Sequence, residues 1–132
     1  MTFVLAGLTA SGLSWLLNGL LVDRVGRWWI VAFGPGMEEL FKTGIALFLG
    51  TNIFFSHLTF GVVEAVRDIA GGRPGSWLAG LVSFISHSIF GFLATLSYQK
   101  TGSFLFAVII PLIFHFLWNG VVLMRTGLTG HR

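Results

Sequence analysis

Apolar residues run through this chain in blocks of roughly twenty, broken by short polar or glycine-rich joints. The blocks cover about Thr2–Leu21, Trp28–Leu49, Asn52–Ala70, Trp77–Tyr98 and Ser103–Met124. Each approaches the roughly 20 residues that an α-helix needs to cross a hydrocarbon core about 30 Å thick. The second block is interrupted by Gly34-Pro35-Gly36, and Gly71-Gly72-Arg73-Pro74-Gly75 reads as a connecting loop. No linker, internal repeat or low-complexity segment divides the chain. The pattern predicts an all-α integral membrane protein, a bundle of about five transmembrane helices forming a single domain over 1–132. The first block lacks both a basic lead-in and an A-x-A-like cleavage site, so it reads as a retained helix rather than a signal peptide.

Composition agrees with that pattern. Of 132 residues only 10% are charged, five are Trp and fourteen are Phe, and the mean hydropathy is +0.86. A water-soluble domain of this length could not hide so much apolar surface, whereas lipid solvates it. The absence of cysteine excludes disulfide and thiolate chemistry. The net charge of +3 comes from basic residues scattered singly, which excludes a nucleic-acid-binding patch. Those residues orient the bundle instead. With the N-terminus outside, Arg24, Arg27, Arg67, Arg73, Arg125 and Arg132 all fall on the inner side, and only Lys100 falls outside. The positive-inside bias therefore predicts a multi-pass cell-membrane protein with its N-terminus out and its C-terminus cytoplasmic. Trp28 and Trp29 would lie at the inner interface.

Against this apolar background stand Glu38, Glu39, Lys42, Glu64, His87 and His115, all inside predicted spans. A charge at the bilayer centre costs roughly 2.5–3.5 kcal/mol on insertion scales. At about 1.5 Å per residue, Glu38, Glu39, His87 and His115 lie roughly 14–15 Å from the inner ends of their helices, and Glu64 roughly 9 Å. Residues from four different helices thus reach one layer of the membrane, which predicts a shared polar site opening to the cytoplasmic side.

Spacing refines the site. Pro35 suits the first turn of a helix, where its missing N–H is an orphan anyway. Lys42 follows Glu38 by four residues, which predicts an intrahelical ion pair. Glu39 is turned by about 100° toward another partner. His115 and Asn119 stack four apart on the fifth helix. Ser83, His87 and Gly91 make a small, polar stripe on the fourth that lets a neighbour approach closely. His57 lies near the outer end of its helix and reads as interfacial. The runs around Phe54–Phe55 and Phe104–Phe106 read as lipid-facing or packing surface.

Four motifs carry a resemblance. Glu38-Glu39-Leu40-Phe41-Lys42 resembles the E-E-x-x-K motif of the PrsW family of intramembrane proteases. Phe60-Gly61-Val62-Val63-Glu64 resembles that family's second motif, and Ser86-His87-Ser88-Ile89-Phe90-Gly91 its third. His115-Phe116-Leu117-Trp118-Asn119 resembles its last, H-x-x-x-N. The family is distantly similar to the CAAX prenyl endopeptidase and bacteriocin-processing family, from which Lys42 separates this chain. The motif-bearing core is 35–124. Glu64 is followed by Ala65, where the family's second motif commonly continues into Asn.

The resemblance implies an endopeptidase that cleaves a membrane-anchored protein or peptide within or beside the bilayer. Glu38, Glu39, His87, His115 and Asn119 would be catalytic, with Lys42 and Glu64 supporting. Glu38 and Glu39 would activate water, His87 and His115 would position it or stabilise charge, and Asn119 would donate to the oxyanion. No cofactor is favoured. The alternative is Zn2+ held by Glu39, His87 and His115, an ordinary ligand set that lacks H-E-x-x-H here. Two other function classes fit the same residues. One is a catalytically idle binding or immunity-type protein; the other is a proton or cation pathway.

Overall fold

The computed structural model describes residues 1–26, 29–72 and 74–126. Arg27, Trp28, Arg73 and Arg132, used above for orientation, lie outside them, as does the side chain of Arg125. The described chain is all-helical. It comprises α1 (Thr2–Val25), a π-helical turn (Trp29–Phe33), α2 (Gly34–Phe48), α3 (Ile53–Ala70), α4 (Ser76–Thr101) and α5 (Phe104–Thr126). The joints between helices are short, so helices that follow one another in the chain run antiparallel.

Among the described residues three helices are long and apolar enough to cross a membrane: α1, α4 and α5 over Phe104–Val122. The other two fall short for physical reasons. With 15 residues α2 is only about 22 Å long, and α3 carries Glu64, Arg67 and Asp68 near its C-terminal end. The interruption at Gly34-Pro35-Gly36 is resolved by the π turn. Pro35 follows it in the first turn of α2, where a missing N–H leaves no bond unmade. Trp29 anchors the turn by donating from Nε1 to Asn18 Oδ1 of α1 at 2.6 Å.

Burial is the reverse of a water-soluble bundle. Large apolar side chains face outward: Trp15, Leu16, Phe92, Phe106 and Leu117 are all half or more exposed. The buried apolar residues are mostly small, among them Ala6, Ala10, Ala46, Ala94 and Ala107. In α2 the buried face reads Pro35, Glu38, Glu39, Lys42, Thr43 and Ala46, a helical stripe that is polar at its centre. Lipid-solvated bundles show this arrangement, since helices there gain by close packing and internal polar contacts rather than by hiding leucines.

Glycines set the distances between helices. A Cβ added at Gly91 of α4 would meet His57 Cβ at 2.6 Å, and one at Gly61 of α3 would meet His87 Cβ at 2.9 Å. The two helices therefore exchange a glycine for a histidine twice across one seam. Gly7 of α1 would likewise meet Thr59 Cβ at 2.5 Å, and Gly80 of α4 would meet the Ala65 carbonyl at 2.8 Å. Ordinary side chains would hold these helices apart.

Gly91→Ala is expected to push α3 from α4 and destabilise the fold by about 1–3 kcal/mol, the usual cost of overpacking. Gly12→Ala, which meets nothing within 4 Å, is expected to be neutral or slightly stabilising. Thermal unfolding in detergent micelles checks both.

Candidate functional site

The site begins at one fully buried ion pair. Lys42 Nζ donates to Glu39 Oε1 at 2.6 Å, with both side chains at 0% exposure. The partner of Lys42 is thus Glu39, three residues away, and not Glu38 as the four-residue spacing suggested. The reason is rotational. Glu39, Lys42, Thr43 and Ala46 point to the interior that α3 and α5 close over, and Glu38 is left on the cavity wall. Lys42 also lies 4.4 Å from the centre of the Phe60 ring, a cation–π contact that further offsets its desolvation.

Each imidazole is then fixed by what it faces. An ammonium has only donors, so Lys42 Nζ, 3.1 Å from His87 Nδ1, donates to it. His87 must therefore carry its proton on Nε2, which donates to Glu64 Oε2 at 2.7 Å. A carboxylate has only acceptors, so His115 Nδ1–H donates to Glu39 Oε1 at 2.9 Å. The other ring nitrogen, His115 Nε2, faces Glu38 Oε2 at 3.8 Å, too far for a direct hydrogen bond. The rings are wedged as well. His115 stacks on Phe90 at 4.7 Å, and His87 stands edge-on to His115 at 5.4 Å.

These groups surround a cavity of about 570 Å³. Glu38, Glu64, His87, His115 and Asn119 all line it. Its other walls include Val22, Arg67, Asp68, Ala79 and Val122, each within a turn of a helix end on the same side of the bundle. The cavity therefore opens where α1 and α3 end and α4 begins. Arg67 stands at its rim, half-exposed, donating to Glu64 Oε1 at 2.9 Å.

Of the residues singled out in the sequence, Glu38, Glu64, His87, His115 and Asn119 converge as expected. Glu39 and Lys42 sit one layer behind, out of reach of the cavity. His57 departs from expectation. It is not interfacial but fully buried, with Nε2 3.1 Å from Thr43 Oγ1 and Nδ1 3.6 Å from Glu39 Oε2. The helix begins at Ile53, so His57 lies a turn inside it, against Gly91. A signal for this was present, because His57, Gly61 and Glu64 fall at i, i+4 and i+7 on one helical face.

The metal alternative named Glu39, His87 and His115. Among the described residues the group that comes together, with donor atoms within 4.8 Å of one another, is Glu38, Glu64 and His87. A metal-bound histidine ordinarily gives its second N–H to an acceptor. Here the second nitrogen of His87 faces an ammonium, so its Nε2 holds a proton where a metal needs a lone pair. The hydrogen bonds in this arrangement do not fit a metal at His87.

Neither protein-family models, nor curated proteins, nor solved structures give a match to this chain.

Lys42→Met is expected to destabilise the protein by about 3–5 kcal/mol, because it strands the Glu39 carboxylate without its charge partner. Lys42→Met with Glu39→Gln removes both charges and is expected to recover part of that loss. Unfolding of the two variants in micelles provides the comparison.

Proposed function

We propose that the chain is an intramembrane peptide hydrolase that cleaves a membrane-anchored protein or peptide by an activated water. The observation that carries this reading is the convergence of Glu38, Glu64, His115 and Asn119 on one cavity, with His115 Nε2 facing the Glu38 carboxylate at 3.8 Å. All five helices lie within the bilayer, α2 and α3 shielded in part by the three longer ones. The cavity opens to the cytoplasmic side, and the N-terminus is outside.

A water held between Glu38 and His115 Nε2 has an acceptor for each hydrogen. Glu38 takes one proton as the water oxygen bonds to the substrate carbonyl carbon. The carbonyl oxygen becomes an oxyanion, to which the amide of Asn119, on the cavity wall, donates. Collapse of this intermediate breaks the C–N bond, and the proton on Glu38 passes to the leaving amine. Glu39 takes no part in proton transfer. It holds His115 in the tautomer that leaves Nε2 open, as orienting carboxylates do elsewhere. His87 holds Glu64 in the same indirect way.

The test is cleavage of a fluorogenic peptide tethered to a membrane anchor, by the purified chain in liposomes. Glu38→Gln is expected to lower the rate by about 10²–10⁴-fold and Asn119→Ala by about 10²–10³-fold. Chelators are expected to leave the parent rate unchanged. A fully active Glu38→Gln variant would remove the base from this scheme.

Orientation is checked separately, since a cysteine-free chain accepts single reporter cysteines. Lys100→Cys should react with an impermeant thiol reagent from outside, and Asp23→Cys only after the membrane is opened. The reverse pattern would invert the topology.

A further inference from the structure

The most deeply buried titratable group that the proposed chemistry leaves unused is His57. Its ring and that of His87 are seated by the same glycine exchange between α3 and α4, yet His57 never reaches the cavity. Two buried polar atoms lack a hydrogen-bond partner beside each other: His57 Nδ1 and Glu39 Oε2. They face one another at 3.6 Å. Their immediate neighbours are engaged. Lys42 and His115 share Glu39 Oε1, and Thr43 Oγ1 meets His57 Nε2.

Two tautomers of neutral His57 are available, and electrostatics separates them. With the proton on Nε2, the ring donates to Thr43 and turns its Nδ1 lone pair at a carboxylate oxygen, lone pair against lone pair. With the proton on Nδ1, the Thr43 hydroxyl rotates to donate to Nε2, and Nδ1–H points at Glu39 Oε2. Only the second turns a donor toward each acceptor, because a hydroxyl serves as donor or acceptor and a carboxylate only accepts; at 3.6 Å the Nδ1–H approach to Glu39 Oε2 is an electrostatic contact longer than a hydrogen bond.

We propose that His57 is a positioning residue: held by Thr43, it directs Nδ1–H at Glu39 Oε2 and so fixes the carboxylate whose other oxygen sets the His115 tautomer. The chain of influence runs Thr43, His57, Glu39, His115, from deep in the bundle to the cavity wall. Lys42 holds the charge of Glu39, but its bond to Oε1 alone leaves the carboxylate free to pivot. His57 removes that freedom from the opposite side. This role deepens the hydrolase reading above, although the tautomer of His115 is measurable without any substrate.

Nitrogen-15 spectra of histidine-labelled full chain in nanodiscs provide the test, with His115 assigned through His115→Gln. The parent is expected to show His115 with Nδ1 protonated and Nε2 bare. His57→Asn places an amide donor near the Nδ1 position and is expected to keep that pattern. His57→Gln places its amide near Nε2, can satisfy Thr43, and leaves Glu39 Oε2 unmet; His115 should then show a mixture of tautomers. Thr43→Val reaches the same chain without touching either ring and is expected to act like His57→Gln. If His57→Gln and Thr43→Val both leave the His115 spectrum as in the parent, His57 only fills space and the proposal fails. Where peptide cleavage is observed, His57→Gln should lower kcat by about 10–100-fold with KM unchanged. Loss of the tautomer in a chain that cleaves nothing would retain the positioning role and discard the hydrolase.

Discussion

The ion pair between Lys42 and Glu39 decides the protonation pattern of everything around it. Both ions are fully buried, and taking two such charges out of water costs several kcal/mol each before their attraction offsets it. A pair of this kind is a weak source of net stability. Its effect is directional instead. Lysine can only donate and a carboxylate can only accept, so the pair biases the tautomer of each imidazole it meets. His87 receives from Lys42 and passes its proton toward Glu64. His115 donates Nδ1–H to Glu39 and turns Nε2 toward the cavity. The two histidines are thereby made different, although both sit mid-helix, near the same Phe90 ring.

That pair is tolerable only in the architecture that surrounds it. The bundle keeps its bulky apolar residues on the outside and fills its interior with alanine, glycine and polar side chains. In water such a surface would aggregate. In lipid it is solvated, and the interior is free to hold groups that must be shielded from both solvents. The shortness of α2 follows from the same arrangement. Enclosed by α1, α3 and α5, it is not required to match the membrane thickness by itself. Its N-terminal end, after the π turn, then becomes one wall of an open cavity.

Much of this was legible in the pattern of residues. The apolar blocks located all five helices, because a 20-residue hydrophobic period has few alternatives. Depth counting placed Glu38, Glu64, His87 and His115 in one layer, because rise per residue is nearly constant in helices. The rotation of each helix about its axis was far less legible. Lys42 stands four from Glu38 and three from Glu39, and both spacings put side chains on a shared face. Which pair forms depends on where α3 and α5 cover the helix, and no local feature of the chain states that. His57 was misplaced for a related reason. Distance from a helix end suggested an interface, while its burial depends on Gly91, a residue 34 positions away that leaves room for the ring.

The adjacent carboxylates Glu38 and Glu39 show how far such rotation carries. In sequence they are equivalent, two glutamates at the head of one helix. A turn of about 100° separates their directions, and that turn gives them opposite surroundings. Glu39 meets Lys42, His115 and His57 and stays wholly enclosed. Glu38 meets the cavity and the Nε2 side of His115. Two carboxylates side by side in the cavity would repel and compete for one proton. With one of them neutralised by lysine inside the protein, the other shares the cavity with Glu64, whose oxygens Arg67 and His87 already engage, and it stands beside a ring oriented by its neighbour. The doubled glutamate is thus better understood as one residue that orders the site and one that faces what enters it.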